Sequence, residues 1–409
     1  MANEGAQRYG KPLHGVRVLA LEQMAAMPFA TQLLARLGAD VVKVEHPVHG
    51  ESGRAASPSI ADPAGRTVGA TFLRSNFGKR SVGIDIRSDA GRELVLRLAP
   101  RFDVFAENFK AGTLDRLGLG YDAVSAVHPG MVYVSVSGFG ADAGEYGDWP
   151  AYASIVEAMS GIYDFMRRPD ERPRPNPVGA LGDISTALFS VIGVLAALRH
   201  RDATGLGQRI DVAMYDATVA MTDIVANFQS LGWERQPSPP PYLIASFKAR
   251  DGYFVMQMVR EHQFERLAEL LGKPEWKTDP RFADRTGWDA HNDDVIRPAI
   301  EAWAASLTKR EAAAVLSEAG LAVGPVHEAA ELVADPHLAQ RSMLVEMDRP
   351  TGDGPPVLVP GNPIKMSRVA EGPETRVPWV GEHTAEVLGQ ELGSTADELA
   401  RLRQDGVIT

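Results

Sequence analysis

Two short apolar runs, Val16-Arg-Val-Leu-Ala-Leu21 and Val41-Val-Lys-Val-Glu45, flank a helical stretch from Phe29 to Leu37. Nothing else in the chain limits its fold as much. Two strands joined by one helix in so little chain lie parallel, with the right-handed crossover that twisted strands impose. Pro28 suits the first helical position, where a missing amide costs nothing, and Gly38 ends the helix. The pattern recurs with a helix near Ala90 to Leu98, a strand at Asp103 to Glu107, helical segments to Val127 and a strand at Met131 to Val136. The expected class is α/β, a Rossmann-like large domain built on a parallel sheet. A dinucleotide fingerprint is missing: Gly138-Phe-Gly140 has no third glycine in place, and Gly118-Leu-Gly120 closes no strand. A nicotinamide cofactor is not expected.

At 409 residues the chain exceeds what one core usually holds, so a second domain is expected. Gln236-Pro-Ser-Pro-Pro-Pro-Tyr242 is the linker candidate. After it, Ile244 to Met258 reads as a strand pair turning at Asp251-Gly252. Helices follow at Gln263 to Leu271, Val295 to Leu307 and Lys309 to Glu318, making a smaller α+β domain. A net charge of −11 argues against general nucleic-acid binding, which needs a basic footprint. With no cysteine there are no disulfides, thiolate nucleophiles or Cys-ligated metals, which fits a cytoplasmic setting. No apolar run is read as spanning a membrane, and the polar start, Met1 to Lys11, is not read as a signal peptide. His46 and His49 flank a proline that keeps them off one helix face, and no metal site is expected.

The stretch Pro177 to Met221 carries the candidate chemistry. Asp183 stands at a probable helix start, followed by an apolar helix from about Ile184 to His200. That helix is apolar almost all round (Leu188, Phe189, Val191, Ile192, Val194, Leu195, Leu198) and is expected to be buried. A polar turn, Asp202 to Gln208, then leads to a strand at Arg209 to Ala213 and a second helix. Taken alone, Asp183 reads as an N-cap, its carboxylate accepting from the orphan amides of the first turn. Other chemistries lack their motifs: there is no G-x-S-x-G elbow, no P-loop and no H-E-x-x-H.

The order Gly-Asp183, an apolar helix ending Ala-Ala-Leu-Arg199, Thr-Gly-Leu-Gly-Gln208 and Asp-Val-Ala-Met-Tyr-Asp-Ala217 resembles the family III CoA-transferases, a group that includes the α-methylacyl-CoA racemases. The resemblance extends through Leu37-Gly-Ala-Asp-Val-Val-Lys-Val-Glu45, Asn76-Phe-Gly-Lys-Arg-Ser81, Glu107-Asn-Phe-Lys-Ala-Gly112, Ser137-Gly-Phe-Gly140 and Pro378-Trp-Val-Gly-Glu-His383. It implies a large CoA-binding domain over 1–225, a small domain over 226–330, and a return segment over 331–409 packing on the first. It also implies an interlocked homodimer. Acyl-CoA would be a substrate, and no tightly bound cofactor is expected. By residue-for-residue carry-over, Ile84, Asp85, Ile86, Arg87, Asn108, Phe109, Lys110 and Arg116 would line the CoA site. His46 would stand near the adenine, where the family has an arginine. The bases Arg74, Lys79, Arg80, Arg87 and Arg116 are of a type that pairs with phosphates.

The resemblance makes Asp183 a covalent nucleophile, passing CoA between acids through an anhydride and an aspartyl-CoA thioester. The alternatives within the family are racemisation and a non-catalytic subunit of a hetero-oligomer. The racemase histidine would fall in Ala151-Tyr152-Ala153, where Tyr152 stands instead; Glu261 occupies the place of a supporting glutamate, with His262 beside it. Met27-Pro28 stands for Gly-Pro, Ala25 for the glutamine of the formyl-CoA branch, Ala153 for an acidic residue and Glu157 for a glutamine. Ser238 to Ser246 replaces that branch's glycine-rich loop. An acyl group larger or more apolar than formyl or oxalyl is therefore expected.

Overall fold

Six strands form one wholly parallel sheet in the computed structural model: β1 (Arg17–Leu21), β2 (Asp40–Glu45), β3 (Arg80–Gly83), β4 (Val104–Glu107), β5 (Val132–Ser137) and β6 (Gln208–Ala213). The structure describes residues 10–142, 144–165, 167, 170–233, 242–369, 371–372 and 376–409. The linker candidate before Tyr242, most of the polar start and the first part of Ser238 to Ser246 lie outside them.

The strand order is β3-β2-β1-β4-β5-β6. Both faces of the sheet are covered, which is why its strands read as apolar runs without alternation. Val18, Ala20, Val104, Ala106, Val132 and Val134 pack on one side against α1 (Ala26–Arg36) and the long helix described below. Leu19, Leu21, Val42, Val44, Phe105 and Tyr133 pack on the other, against α2 (Asp89–Leu98) and the chain's last helices, through Val387, Leu388 and Leu399. The C-terminal residues also dock at the sheet edge, where Ile408 bridges Ile84.

Two differences from expectation bear on the site. Pro28 is the third residue of α1, not its first, within the turn whose amides have no helical partner in any case. The strand β3 was not expected, because Arg80-Ser-Val-Gly83 is short and half polar; Ser81 is nevertheless buried, its hydroxyl donating to Glu45 at 2.5 Å.

By its contacts the chain divides into two units, one of residues up to Asn227 together with Gln340–Thr409, the other Phe228–Ala339. The second unit holds an antiparallel sheet, β7 (Leu243–Ala249), β8 (Gly252–Met258) and β9 (Ala322–Pro325), in the order β9-β8-β7. Its core gathers Phe247, Phe254, Phe264, Trp276 and Trp288. By contacts the first unit resumes at Gln340; the short helix Ala329–Val333 and all but the last residue of the helix Pro336–Gln340 fall in the second unit.

Two further helices position the site: α3 (Ala153–Met159) and α4 (Leu181–Thr204). At 24 residues, α4 is longer than read from sequence, and long and apolar enough by composition to cross a bilayer. Among the described residues it is the one such helix. The expectation that it would be buried all round is corrected. Ala187, Val191, Val194 and Ala197 are buried in the core, while Ile184, Leu188, Ile192 and Leu195 are exposed, Ile192 at 60%. The polar turn also starts later than expected, since the helix runs to Thr204 and closes on Gly205 in the left-handed conformation.

Candidate active site

In a doubly wound sheet, loops leaving neighbouring strands part where the strand order reverses, and the crevice at their carboxyl ends is where ligands bind. Here that point lies between β1 and β4. The loops after them are tied together: the Gln23 amide donates to Asn108 Oδ1 at 2.9 Å, and Asn108 Nδ2 donates to the Gln23 carbonyl at 2.9 Å. Met24 follows with φ of +62°, a conformation costly for a side chain of its size. Its amide donates to Glu51 Oε2 at 2.9 Å, which holds it there.

A cleft of about 690 Å³ opens at this point, lined by Met24, Ala25, Asn108, Phe109, Lys110, Phe139, Trp149, Ala151, Tyr152 and Asp183, among others. A smaller cavity of about 190 Å³ is lined by His46, Glu51, Ile84, Asp85, Ile86, Arg87 and Phe109. Gln23, Ser52 and Phe109 line both, so the two are neighbours on one surface. All but one of the residues expected at the CoA site are thus brought together. Arg116 is the exception: it lines neither cavity, and its exposed guanidinium donates to Thr113 Oγ1 at 3.1 Å. Lys110 lines the larger cleft and is paired with Asp148 at 3.1 Å. The Asp85 amide is fixed by the Val407 carbonyl at 2.8 Å, and the Arg87 amide by Asp85 Oδ1 at 3.0 Å.

Two bases of the phosphate-pairing type are already engaged. Lys79 is buried and donates to Glu22 at 2.7 Å, and Arg80 bridges Asp40 and Glu386. The rings of His46 and His49 stack at 5.1 Å. Among the described residues no cluster has the makings of a metal site.

Asp183 does not cap its helix. Ala180 is the N-cap, without a side-chain bond, and Asp183 lies in the first turn. The capping role falls to a neighbour: the Gly182 amide donates to Glu157 Oε1 of α3 at 3.1 Å. The approach is close: a Cβ at Gly182 would meet Val156 Cγ2 at 3.0 Å and Ala153 Cα at 3.1 Å, so α3 would have to give by a few tenths of an ångström. Asp183 makes no hydrogen bond or ion pair to a described residue, and its carboxylate is left to the cleft. Burial pushes its carboxyl up to about 6; Arg74 opposes the shift, and the like charge of Glu157 adds to it. It remains mostly ionised at neutral pH. Glu107, below Phe109, is pushed by burial to about 8 and is protonated there, despite the Phe109 amide bonding it at 2.8 Å.

Several parts of the site were not foreseen from sequence. Gln23, Met24 and Glu51 carry no motif, and only the pairing of two loops brings them to the cavities. Met27 and Ala153, two of the departures behind the expectation of a larger acyl group, are buried in the core and do not line the cleft; Met24 and Ala151 do.

The fold and site thus define a doubly wound α/β unit with a carboxylate in its switch-point cleft, free of partners among the described residues. The profile of CoA-transferase family III matches residues 13–384. Among relatives, the succinyl-CoA:mesaconate CoA-transferase of Haloarcula hispanica is 35% identical, covering 92% of this chain and 96% of its own. The succinyl-CoA–D-citramalate CoA-transferase of Chloroflexus aurantiacus is also 35% identical, covering 98% of this chain and 100% of its own. The crystal structure of a CAIB/BAIF family protein from Brucella suis superimposes with a TM-score of 0.81 at 33% identity, covering 93% of this chain and 99% of that one. The chain therefore belongs to CoA-transferase family III and is a CoA-transferring enzyme.

Proposed function

We propose that Asp183 carries CoA transfer between an acyl thioester and a carboxylic acid by forming covalent intermediates. The observation that carries this reading is a carboxylate in the cleft that caps no helix and has no ion pair or side-chain hydrogen bond among the described residues. Its oxygen attacks the thioester carbonyl, the C–S bond breaks, and CoA thiolate leaves a mixed anhydride. The thiolate attacks the aspartyl carbonyl, releasing the first acid as its carboxylate and leaving an aspartyl-CoA thioester. The acceptor carboxylate then attacks that thioester, expelling the thiolate and forming a second anhydride. Thiolate attack on the acceptor's acyl carbon gives the new acyl-CoA and restores Asp183. Each intermediate keeps the activation of the thioester, which a serine ester would lose. Water is the competitor, and the raised pKa of Asp183 marks a site already partly dehydrated.

Ala25, Met24, Ala151 and Trp149 give the cleft an apolar lining suited to an acyl group larger than formyl or oxalyl. The names of two relatives, with the five-carbon acids mesaconate and citramalate, agree in size, while a third is named for oxalate. A mass-spectrometric screen of acyl-CoA donors against carboxylates tests this. Transfer to acids of four carbons or more is expected to exceed formyl-CoA–oxalate exchange at least about tenfold. The reverse ranking contradicts the substrate reading; no CoA transfer by the purified chain alone contradicts the enzyme acting as its own unit. Racemisation is less favoured, since Tyr152 lines the cleft where the racemase histidine would fall.

We also propose a homodimer. The exposed row Ile184, Leu188, Ile192 and Leu195 repeats on one face of α4, a contiguous apolar strip of the kind that marks an interface. Light scattering of the wild type is expected to give a dimer at micromolar concentration, and Leu188→Asp with Ile192→Asp a monomer. A stable, active wild-type monomer contradicts it.

A further inference from the structure

Behind Asp183, outside the cleft, lies a carboxylate that the transfer chemistry leaves without a role. Glu157 is 1% exposed. Each of its oxygens accepts one hydrogen bond: Oε1 from the Gly182 amide at 3.1 Å, Oε2 from the Tyr163 hydroxyl at 2.6 Å. Two accepted bonds, one on each oxygen, suit an ionised carboxylate. A buried carboxylate without a cation is costly to keep. For satisfying a helix amide alone, a neutral side-chain carbonyl would serve as well. No cation within the described residues pairs with it, while its charge acts on Asp183, one residue from the amide that it holds.

We propose that Glu157 is a positioning residue for Asp183, fixing the first turn of α4 through Gly182 and acting on the nucleophile through its own buried negative charge. This rests on the nucleophilic reading of Asp183. The charge makes ionised Asp183 less comfortable before reaction, and the strain is relieved when acylation removes the negative charge from Asp183. It also makes the carboxylate more basic, hence more nucleophilic. The charged groups that act on Asp183 are Arg74, which opposes this, and Glu157; burial acts in the same direction as Glu157. Asp183 acts on Glu157 in turn, and Tyr163 faces it as a neutral donor, its hydroxyl pushed up by burial and by the bond to Glu157. Geometry and charge thus come from one side chain.

The test compares kcat/KM against pH for the wild type, Glu157→Gln and Glu157→Ala, with Asp183→Asn as control. The wild-type acid limb is expected near 6, where Asp183 loses its charge. Glu157→Gln keeps an acceptor for Gly182 and removes the charge. Its plateau is expected to stay within about tenfold of wild type, while its acid limb moves down by about half a pH unit or more. Ionisations of the substrates are common to both enzymes and cancel in the difference. Glu157→Ala loses the acceptor too, and its plateau is expected to fall further, by about a hundredfold. Superimposable limbs for wild type and Glu157→Gln, with Asp183→Asn inactive, overturn the role of Glu157 while leaving the nucleophile in place. An active Asp183→Asn overturns both.

Discussion

Asp183→Asn is expected to fold and bind CoA as the wild type does, and to transfer it at least about a thousandfold more slowly. A carboxamide oxygen is too weak a nucleophile to open a thioester. A cap would behave differently: asparagine caps nearly as well as aspartate, so activity would survive. The stability effect should run against the functional one. Burial raises the carboxyl from 3.8 to about 6 in the folded chain, so the native state binds the proton more tightly than the unfolded one. Stability therefore falls as pH rises from about 4 to 6, and the loss is complete above 6. Removing the charge is expected to raise Tm at pH 7 to 8 and to leave it unchanged near pH 3. A variant both inactive and more stable is what a nucleophile held at a cost to the fold produces. Calorimetry at the two pH values, beside the transfer assay, checks both halves.

The second large effect is expected away from the reacting atoms. Under the crevice lies a buried group of charges: Glu22 accepts from Lys79 at 2.7 Å and from Thr31 at 2.7 Å, with Lys43 at 3.4 Å. Glu45 pairs with Arg54 at 2.6 Å, and Glu51 lies 3.9 Å from Lys43. Burial lowers Lys79 to about 8, against the pull of Glu22, and the two lysines hold Glu22 below the usual carboxylate range against its own burial. Glu22→Ala leaves Lys79 and Lys43 buried without that counter-charge. The expected cost is about 3–5 kcal/mol, read as a Tm lower by roughly 5–8 °C. Because Glu51 also holds the strained Met24, CoA affinity should fall with it. A change under about 1 kcal/mol would mean that the cluster relaxes or admits water.

Most of the sheet was legible in sequence because buried parallel strands are uninterrupted apolar runs. The exception, β3, hides behind Arg80 and Ser81, which are polar for a reason that only its partners reveal: Arg80 meets Asp40 and Ser81 meets Glu45. The same limit applies to the site. Residue type marked Lys79 and Arg80 as phosphate partners, but both are consumed by carboxylates distant in sequence. The motif around Asp183 was readable, whereas its freedom from capping was not, because that depends on Glu157 reaching across from another helix. The apolar face of α4 misled in the other direction. A helix apolar all round reads as fully buried, but among the described residues Ile184, Leu188, Ile192 and Leu195 are exposed.

Covalent chemistry at Asp183 is tested most directly by trapping. The enzyme is mixed with an acyl-CoA that it turns over, quenched with borohydride or hydroxylamine, digested and mapped by mass spectrometry. Activated aspartyl species are reduced by the first reagent and converted to a hydroxamate by the second. The expected result is modification of the peptide carrying Asp183, at that residue, in the wild type and not in Asp183→Asn. Turnover without modification of any carboxylate, or modification at a different one, contradicts the mechanism.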